Sequence, residues 1–278
     1  MRSGRRSEWL RNGTVSWDFQ PEGAPGELVP DTSPAWLTPL VDRPEAVRHA
    51  YRRRVPAEVM AAVTAANATA AVTGARRDAA VLVLFSGPPD GTAGRLPENA
   101  DLLVTVRAST LRHHAGQAAF PGGAADPGDR SPVHTALREA TEETGVDATR
   151  LRPLATLEKM FIPPSGFHVV PVLAYSPDPG PVAVVDRSET ALVSRVPVRA
   201  FTNPENRIMV YRRGSTRRAA GPAFLLNQMV VWGFTGHVIS AMLDVAGWST
   251  DWDTDNVYEL DEAMRLLDTD DSYGEAQR

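Results

Sequence analysis

The chain contains no cysteine and a single lysine, Lys159. Without cysteine, disulfide bonds, thiolate nucleophiles and cysteine-ligated zinc or iron-sulfur sites are excluded. No apolar run approaches the ~20 residues that a membrane-spanning helix needs, and the first residues lack the hydrophobic core of an export signal. We therefore expect a cytoplasmic protein with no membrane partner.

A strongly basic composition is also missing. The formal net charge is -5 at pH 7, and a protein whose main partner is nucleic acid needs a surface that neutralises phosphates. Nucleic acid is therefore not expected as a partner. The chain does have length, because 278 residues, 42% of them hydrophobic, can bury one large core. A homodimer is one association state that the sequence leaves open.

Composition and periodicity divide the chain into three parts. Residues 1–42 are rich in proline, glycine and polar side chains, with the isolated tryptophans Trp9, Trp17 and Trp36, and are predicted to form an extended arm that packs through a few aromatic anchors. Residues 43–248 form the predicted domain, which opens with helices within 43–75. Residues 249–278 are predicted to be a weakly ordered acidic tail with a short helix.

Within the domain, apolar runs and the turns between them predict alternating strands and helices. Strands are predicted at 79–85, 101–107, 151–161, 167–175 and 190–196, a hairpin or loop-linked strand pair at 203–214, and a late amphipathic helix at 228–246. Strands on both sides of a central helix, with a long second helix at the end, indicate the α/β class. The predicted architecture is an α/β/α sandwich built on a mixed β-sheet.

The central helix concentrates three carboxylates on one face. Glu139, Glu142 and Glu143 stand at i, i+3 and i+4, so their side chains converge on a helix. Like charges at that spacing repel one another, and such a cluster beside the glycine turn at Gly122 and Gly123 is best explained by a divalent cation among the oxygens. The alternative is an ordinary acidic stripe on a solvated helix.

Local signals support this helix independently. Ser131 can cap its N-terminus, Pro132 suits the first helical position, and Gly145 suits a left-handed C-terminal exit. Arg138 is interpreted as an ion-pair partner that positions one of the glutamates. The apolar stripe predicted to pack on a sheet consists of Val133, Ala136, Leu137 and Ala140.

This segment resembles the Nudix box. Gly123 opens the pattern, Arg138-Glu139 and Glu142-Glu143 stand in place, and Gly145 closes it, whereas Asp129 replaces a glutamate and is followed by eight residues instead of seven. The resemblance implies a Nudix-type sandwich and a hydrolase that uses Mg²⁺ or Mn²⁺. The metal ligands that it implies or favours are Glu139, Glu142, Glu143, a carbonyl near Gly122, and Glu189 from a later loop.

A second pattern narrows the resemblance. The segment LLVTVRASTLRHHAGQAAFPGG, at 102–123, is similar to the signature of coenzyme A pyrophosphatases within the Nudix superfamily. It implies a small nucleotide substrate of the coenzyme A type, with products 3′,5′-ADP and 4′-phosphopantetheine. Arg107 and Arg112 are candidates to bind substrate phosphates, although a structural ion pair is an equal alternative for each.

The expected chemistry is metal-assisted attack of water on phosphorus. One of Glu139, Glu142 and Glu143, or a carboxylate from a later loop, would accept the proton. Arg138 would position one of these glutamates. Two roles stay open for Phe167, namely stacking on the substrate and packing alone. Two other functions remain open: a Nudix pyrophosphatase that acts on ADP-ribose, dinucleotides or nucleoside triphosphates, and a non-catalytic nucleotide-binding module.

Overall fold

The structure is a computed structural model that describes residues 27–73, 77–108, 117–162, 166–227 and 229–275. Its α-helices, in chain order, are α1 (Thr38–Val41), α2 (Pro44–Arg54), α3 (Ala57–Thr73), α4 (Pro132–Thr144), α5 (Val198–Thr202), α6 (Gly233–Val245) and α7 (Leu260–Glu275). Its strands are β1 (Arg77–Ser86), β2 (Asp101–Arg107), β3 (Ala118–Ala119), β4 (Gly122–Ala124), β5 (Arg152–Thr156), β6 (Met160–Ile162), β7 (Phe167–Ser176), β8 (Thr190–Pro197), β9 (Arg207–Tyr211), β10 (Gly221–Leu226), β11 (Met229–Val231) and β12 (Val257–Glu259).

The main sheet is mixed, as the sequence predicts. Strands β1 and β7 run parallel over their whole length, from Arg77 opposite Phe167 to Ser86 opposite Ser176. Antiparallel neighbours flank this pair, because β2 and β4 join β1, and β5 and β6 join β7. Strand β8 extends the sheet beyond β2. The short strand β4 therefore lies beside the centre of the sheet.

The two faces of the sheet carry separate apolar cores. Side chains alternate along β1, so that Leu82 and Leu84 face α4 while Val83 and Phe85 face the opposite side. Helix α4 packs on the first face, and α2 and α6 pack together on the second. The observed fold is the predicted α/β/α sandwich.

Three of the predicted elements are corrected, two of them by a second sheet in the order β11-β10-β9-β12. The expected helix at 228–246 begins only at Gly233, because the β-branched residues before it form β11 against β10. The expected strand pair at 203–214 is the single strand β9, whose partners are β10 and β12. The expected strand at 151–161 divides into β5 and β6.

Residues on both sides of the expected domain belong to its core. Trp36 is 0% exposed, its indole N–H donates to the carbonyl of Pro88 at 3.0 Å, and its ring contacts Trp248. At the other end, β12 pairs in parallel with β9, and Ala263 of α7 is buried. The packed core therefore extends beyond the expected boundaries at 42 and 249, because Trp36 is buried in it and β12 covers the edge of β9.

Among the helices of the described residues, none is by itself both long and apolar enough to cross a bilayer. Helices α2 and α3 meet that test by length and composition only when taken as one pair, and they are bent by 115° where they join.

Candidate active site

Helix α4 is fixed by the local signals that its sequence carries. The Ser131 side chain accepts a hydrogen bond from the backbone N–H of His134 at 3.1 Å, and Pro132 follows as the first helical residue. Gly145 ends the helix in the left-handed region, with φ of 67°. Val133, Ala136 and Ala140 are buried against the sheet. The acidic face of α4 is consequently turned toward β4.

Two glycines in the turn that precedes α4 lie in close contact with their neighbours. A Cβ on Gly122 would lie 2.4 Å from the carbonyl oxygen of Ala80, and a Cβ on Gly123 would lie 2.6 Å from the carboxyl group of Glu139. The first contact is with backbone and excludes a side chain, whereas the second would displace the flexible Glu139 side chain. The first glycine therefore lets β4 lie against β1, and the second lets the Glu139 carboxylate lie against the turn.

Glu143 lies between this turn and further charged groups. Its carboxylate accepts a hydrogen bond from the backbone N–H of Gly122 at 3.1 Å. Burial, together with the nearby carboxylates of Glu139 and Glu189, raises the pKa of Glu143 to about 7, against the opposing effects of the Gly122 hydrogen bond and of Arg107. The structure thus gathers Glu139, Glu143 and Glu189, from two separate segments, around a partly desolvated carboxyl group.

Arg138 links the acidic face to the loop before the helix. Its guanidinium donates to Asp129 through Nε at 3.0 Å and through a terminal nitrogen at 2.8 Å, and it also contacts Glu139 at 2.8 Å and Glu142 at 3.3 Å. Burial alone would raise the pKa of Asp129, but hydrogen bonds from Arg138, the Asp126 backbone and Thr135 lower it to about 2. Asp129 therefore holds Arg138 as an ionised anchor.

Two substrate-binding candidates can be placed. Arg107, at the end of β2, has a buried Nε that makes no hydrogen bond with any described residue. The neighbouring backbone N–H of Ala108 donates to the Glu189 carbonyl at 2.9 Å, which brings the Glu189 loop to the same place. The guanidinium of Arg77 lies 4.1 Å from the centre of the Phe167 ring. Arg112 lies outside the described residues.

A cavity of about 1120 Å³ opens beside this turn. Gly122, Gly123 and Arg107 line it, whereas the three glutamates of α4 lie behind the turn and do not. Its other walls come from α2, α3 and the start of α6, and Phe167 lies on its surface. Pockets for drug-sized ligands are usually about 300–1000 Å³, so this one suits a larger molecule.

Comparison with known proteins identifies the family. The NUDIX domain pattern matches residues 88–213. The chain is 36% identical over 165 residues to the uncharacterized Nudix hydrolase NudL of Yersinia pestis, covering 59% of this chain and 76% of that protein. The NudL of Photorhabdus laumondii is 36% identical over 140 residues, covering 50% of this chain and 73% of that protein. The chain belongs to the Nudix hydrolase family.

Among solved structures, the Nudix hydrolase RenU of M. smegmatis aligns over 45% of this chain and 72% of its own, with 24% identity and a TM-score of 0.35. This overlap is too small to add to the family assignment, which depends on the sequence relatives. The Nudix match at 88–213 contains the whole turn and α4. It does not contain α2 or α6, which also line the cavity.

The acidic end of this Nudix site carries carboxylate oxygens, which are the ligand type of hard divalent cations. In the described residues no three acidic or histidine side chains form a closed cation cage. Glu139 and Glu142 contact Arg138, and Glu143 contacts the Gly122 N–H. Burial is the main cause of the raised pKa of Glu143, and the charges of Glu139 and Glu189 add to it; a cation beside these carboxylates would offset both effects. Oxygen ligands of this kind suit Mg²⁺ and Mn²⁺.

Sequence reasoning missed two parts of the site. It treated Asp129 only as a departure from the Nudix box, although a buried carboxylate that anchors Arg138 explains that position. It also gave Phe234 and Thr235 no role in the site, whereas both residues line the cavity. The helix α2 was itself expected, but its place in the site was not, because its approach to α6 is made only by the tertiary fold.

Proposed function

We propose that the protein is a Mg²⁺- or Mn²⁺-dependent pyrophosphohydrolase that cleaves coenzyme A, or one of its derivatives, to 3′,5′-ADP and 4′-phosphopantetheine. The observation that supports this proposal is that an acidic surface and a cavity adjoin at Gly122 and Gly123. An acidic cluster lies on one side of the turn, and a large cavity lined by Arg107 lies on the other. A diphosphate bound at the turn could contact both.

In this proposal the cation is held by the α4 glutamates, with the Gly122 carbonyl and Glu189 as further ligands. When bound, it would neutralise phosphate charge and lower the pKa of a water molecule. Arg107 donates hydrogen bonds to a phosphate oxygen from its buried, otherwise unbonded Nε. Arg138 positions Glu139 and Glu142 and does not itself react.

The proposed reaction needs a group that accepts a proton. As water attacks phosphorus and the bond to the leaving phosphate oxygen breaks, a carboxylate must take the proton that the water loses. Glu142 and Glu139 both contact Arg138, and the Glu142 side chain is 45% exposed against 17% for Glu139. We assign the general base to Glu142, because its greater exposure leaves it more accessible to water.

Coenzyme A is favoured over smaller nucleotides for two reasons. The segment at 102–123 is similar to the coenzyme A pyrophosphatase signature, although Arg112 of that signature remains a prediction. The cavity is also larger than a nucleoside triphosphate alone would need, and it extends away from the turn along α2 and α3. A long substrate with a diphosphate near its middle fits this shape.

The experiment is incubation of the purified protein with coenzyme A, ADP-ribose and NADH, each with saturating Mg²⁺ or Mn²⁺, followed by product analysis by mass. We expect 3′,5′-ADP and 4′-phosphopantetheine from coenzyme A. If ADP-ribose or NADH is cleaved faster than coenzyme A, the assignment of coenzyme A as the substrate is wrong. Absence of cleavage with every metal would support a non-catalytic nucleotide-binding module.

A matched pair of variants tests the assigned base. Glu142→Gln should lower kcat on the order of 10³-fold, because several kcal/mol of charge stabilisation and proton transfer are lost together. Glu98→Gln, at an exposed position away from the turn, should leave kcat unchanged. Full turnover in Glu142→Gln would refute its assignment as ligand and base.

A further inference from the structure

The cavity has a second end, which is built from residues outside the Nudix match. Arg48, Tyr51 and Arg52 of α2, with Phe234 and His237 of α6, line the same cavity as Gly122 and Arg107. The matched Nudix segment covers 88–213 and includes none of these five residues. This end of the cavity therefore lies outside the matched Nudix segment.

Three uncharged rings meet at this end. The Tyr51 ring centre lies 6.3 Å from that of Phe234 and 5.5 Å from that of His237. Burial raises the pKa of Tyr51 to about 12 and lowers the pKa of His237. The His237 Nδ1 lies 2.7 Å from the carbonyl oxygen of Gly233, so this nitrogen carries the proton and donates it. Flat, neutral surfaces of this kind bind an aromatic base by stacking.

Two arginines flank Tyr51 on the same face of α2. Arg48 and Arg52 are one helical turn apart, and burial together with the charge of Arg52 lowers the pKa of Arg48. Arg48 is ion-paired with Glu158, whereas the Arg52 guanidinium has no hydrogen bond or ion pair with a described residue. Two neighbouring guanidinium groups repel each other, and a phosphate that accepts hydrogen bonds from both removes that repulsion.

We infer that this end of the cavity binds the base and a separate phosphate of a nucleotide whose diphosphate lies at Gly122 and Gly123. The ligand class is a nucleoside that carries a second phosphate in addition to the diphosphate, as the adenosine 3′-phosphate of coenzyme A does. The inference rests on the proposed function, because that function requires one nucleotide to reach both ends of the cavity. The rings recognise the base, and Arg52 with Arg48 recognises the additional phosphate.

The test measures binding of the two mononucleotides 3′,5′-ADP and 5′-AMP to the full-length protein by calorimetry. Wild type should bind 3′,5′-ADP at least about tenfold more tightly than 5′-AMP, since one charged hydrogen-bonded group is worth about that factor. Arg52→Gln should weaken binding of 3′,5′-ADP about tenfold and leave binding of 5′-AMP unchanged. Arg53→Gln, on the same helix but away from the cavity, is the matched control and should change neither.

A second pair of variants tests the rings. Tyr51→Leu should weaken both mononucleotides by a similar factor, because both carry the same base, whereas Tyr51→Phe should retain both affinities. Circular dichroism of each variant verifies that the fold is intact. In Tyr51→Leu, retention of both affinities at the wild-type value would overturn the assignment of the rings.

The result that overturns the inference is equal binding of 3′,5′-ADP and 5′-AMP, or equal weakening of both in Arg52→Gln. Hydrolysis of coenzyme A is measured separately, so that failure of this inference can be told apart from failure of the proposed function. With hydrolysis intact, Arg52→Gln should raise the KM for coenzyme A about tenfold at constant kcat, and 3′-dephospho-coenzyme A should show no such change. Arg52-dependent binding of 3′,5′-ADP without hydrolysis would refute the proposed function alone.

Discussion

The two sides of the Gly122–Gly123 turn are built in different ways. On the acidic side, the glutamates and Arg138 belong to α4, which follows the turn directly and carries its own capping residues. On the cavity side, the wall joins α2 to α6, which are brought together by contacts such as the Arg54 to Asp244 hydrogen bond at 2.9 Å, across 190 positions of sequence. One side depends on local geometry and the other on tertiary packing.

This difference has a consequence for how each side responds to change. Helix spacing alone sets the acidic face, so damage elsewhere in the molecule should leave its relative geometry intact. The cavity wall depends on the core around Trp36, where α2 and α6 share their apolar contacts. Substitutions can therefore separate the two sides.

The largest effect is expected at Trp36, which lies in the core on the cavity side. Trp36→Ala should lower the free energy of unfolding by about 3–5 kcal/mol, because a fully buried indole is removed. Urea denaturation measures this loss. Val72→Ala, at a side chain 88% exposed, should change stability by less than about 0.5 kcal/mol.

In the folded fraction of Trp36→Ala, Mg²⁺ affinity should equal that of wild type while nucleotide affinity falls. Calorimetry under conditions where the variant is folded makes this comparison. Equal loss of both affinities would show that the two sides are not separable.

The next effect concerns pH and arises on the acidic side. The pKa of Glu143 is about 7 in the folded protein, whereas the ordinary value for a glutamate is 4.5. The folded state therefore binds this proton more tightly than the unfolded state does. Its contribution to stability is complete below about pH 4.5 and is lost as pH rises through about 7, a change on the order of 3 kcal/mol in metal-free protein.

Urea titrations in the presence of a chelator, between about pH 5 and pH 8, would measure this slope. Glu143→Gln should flatten the slope, and added Mg²⁺ should restore stability mainly at the higher pH, because the cation competes with the proton. If the unfolding free energy of Glu143→Gln has the same slope against pH as wild type, the titration of Glu143 is not the cause of that slope.

The smallest of the three effects tests the turn itself. In Gly123→Ala the new Cβ would meet the Glu139 carboxyl group at 2.6 Å, and the flexible side chain must move away. A displacement of about 1 Å in a catalytic group can lower kcat about a hundredfold, with little loss of stability. Gly128→Ala, where no atom lies within 4 Å of the new Cβ, is the control and should change neither kcat nor stability. Wild-type kcat in Gly123→Ala would show that Glu139 is not a ligand.

Sequence reasoning worked best where structure is local. The cap at Ser131, the exit at Gly145 and the bounds of β2 agree with the structure, because each depends on residues within one turn or one strand. The mixed sheet and the Nudix fold were also predictable, since the spaced glycine and acidic residues identify the family.

The remaining features needed tertiary information. The apolar run at the start of the expected helix at 228–246 is compatible with strand or helix, and only the pairing of β11 with β10 decides between them. Composition predicted an arm with aromatic anchors, but it could not identify the neighbours of Trp36, because Phe85 and Trp248 come from distant segments. The cavity wall formed by α2 and α6 was missed for the same reason.

The parallel pairing of β12 with β9 has a practical consequence for anyone who shortens this protein. Its polar, acidic C-terminal segment is an obvious candidate for deletion before crystallisation. Removing residues from Val257 onward would expose the hydrogen-bonding edge of β9 at Met209, Val210 and Tyr211. Val210 and Tyr211 also line the cavity, so the shortened protein would carry an aggregation-prone strand edge at the cavity wall.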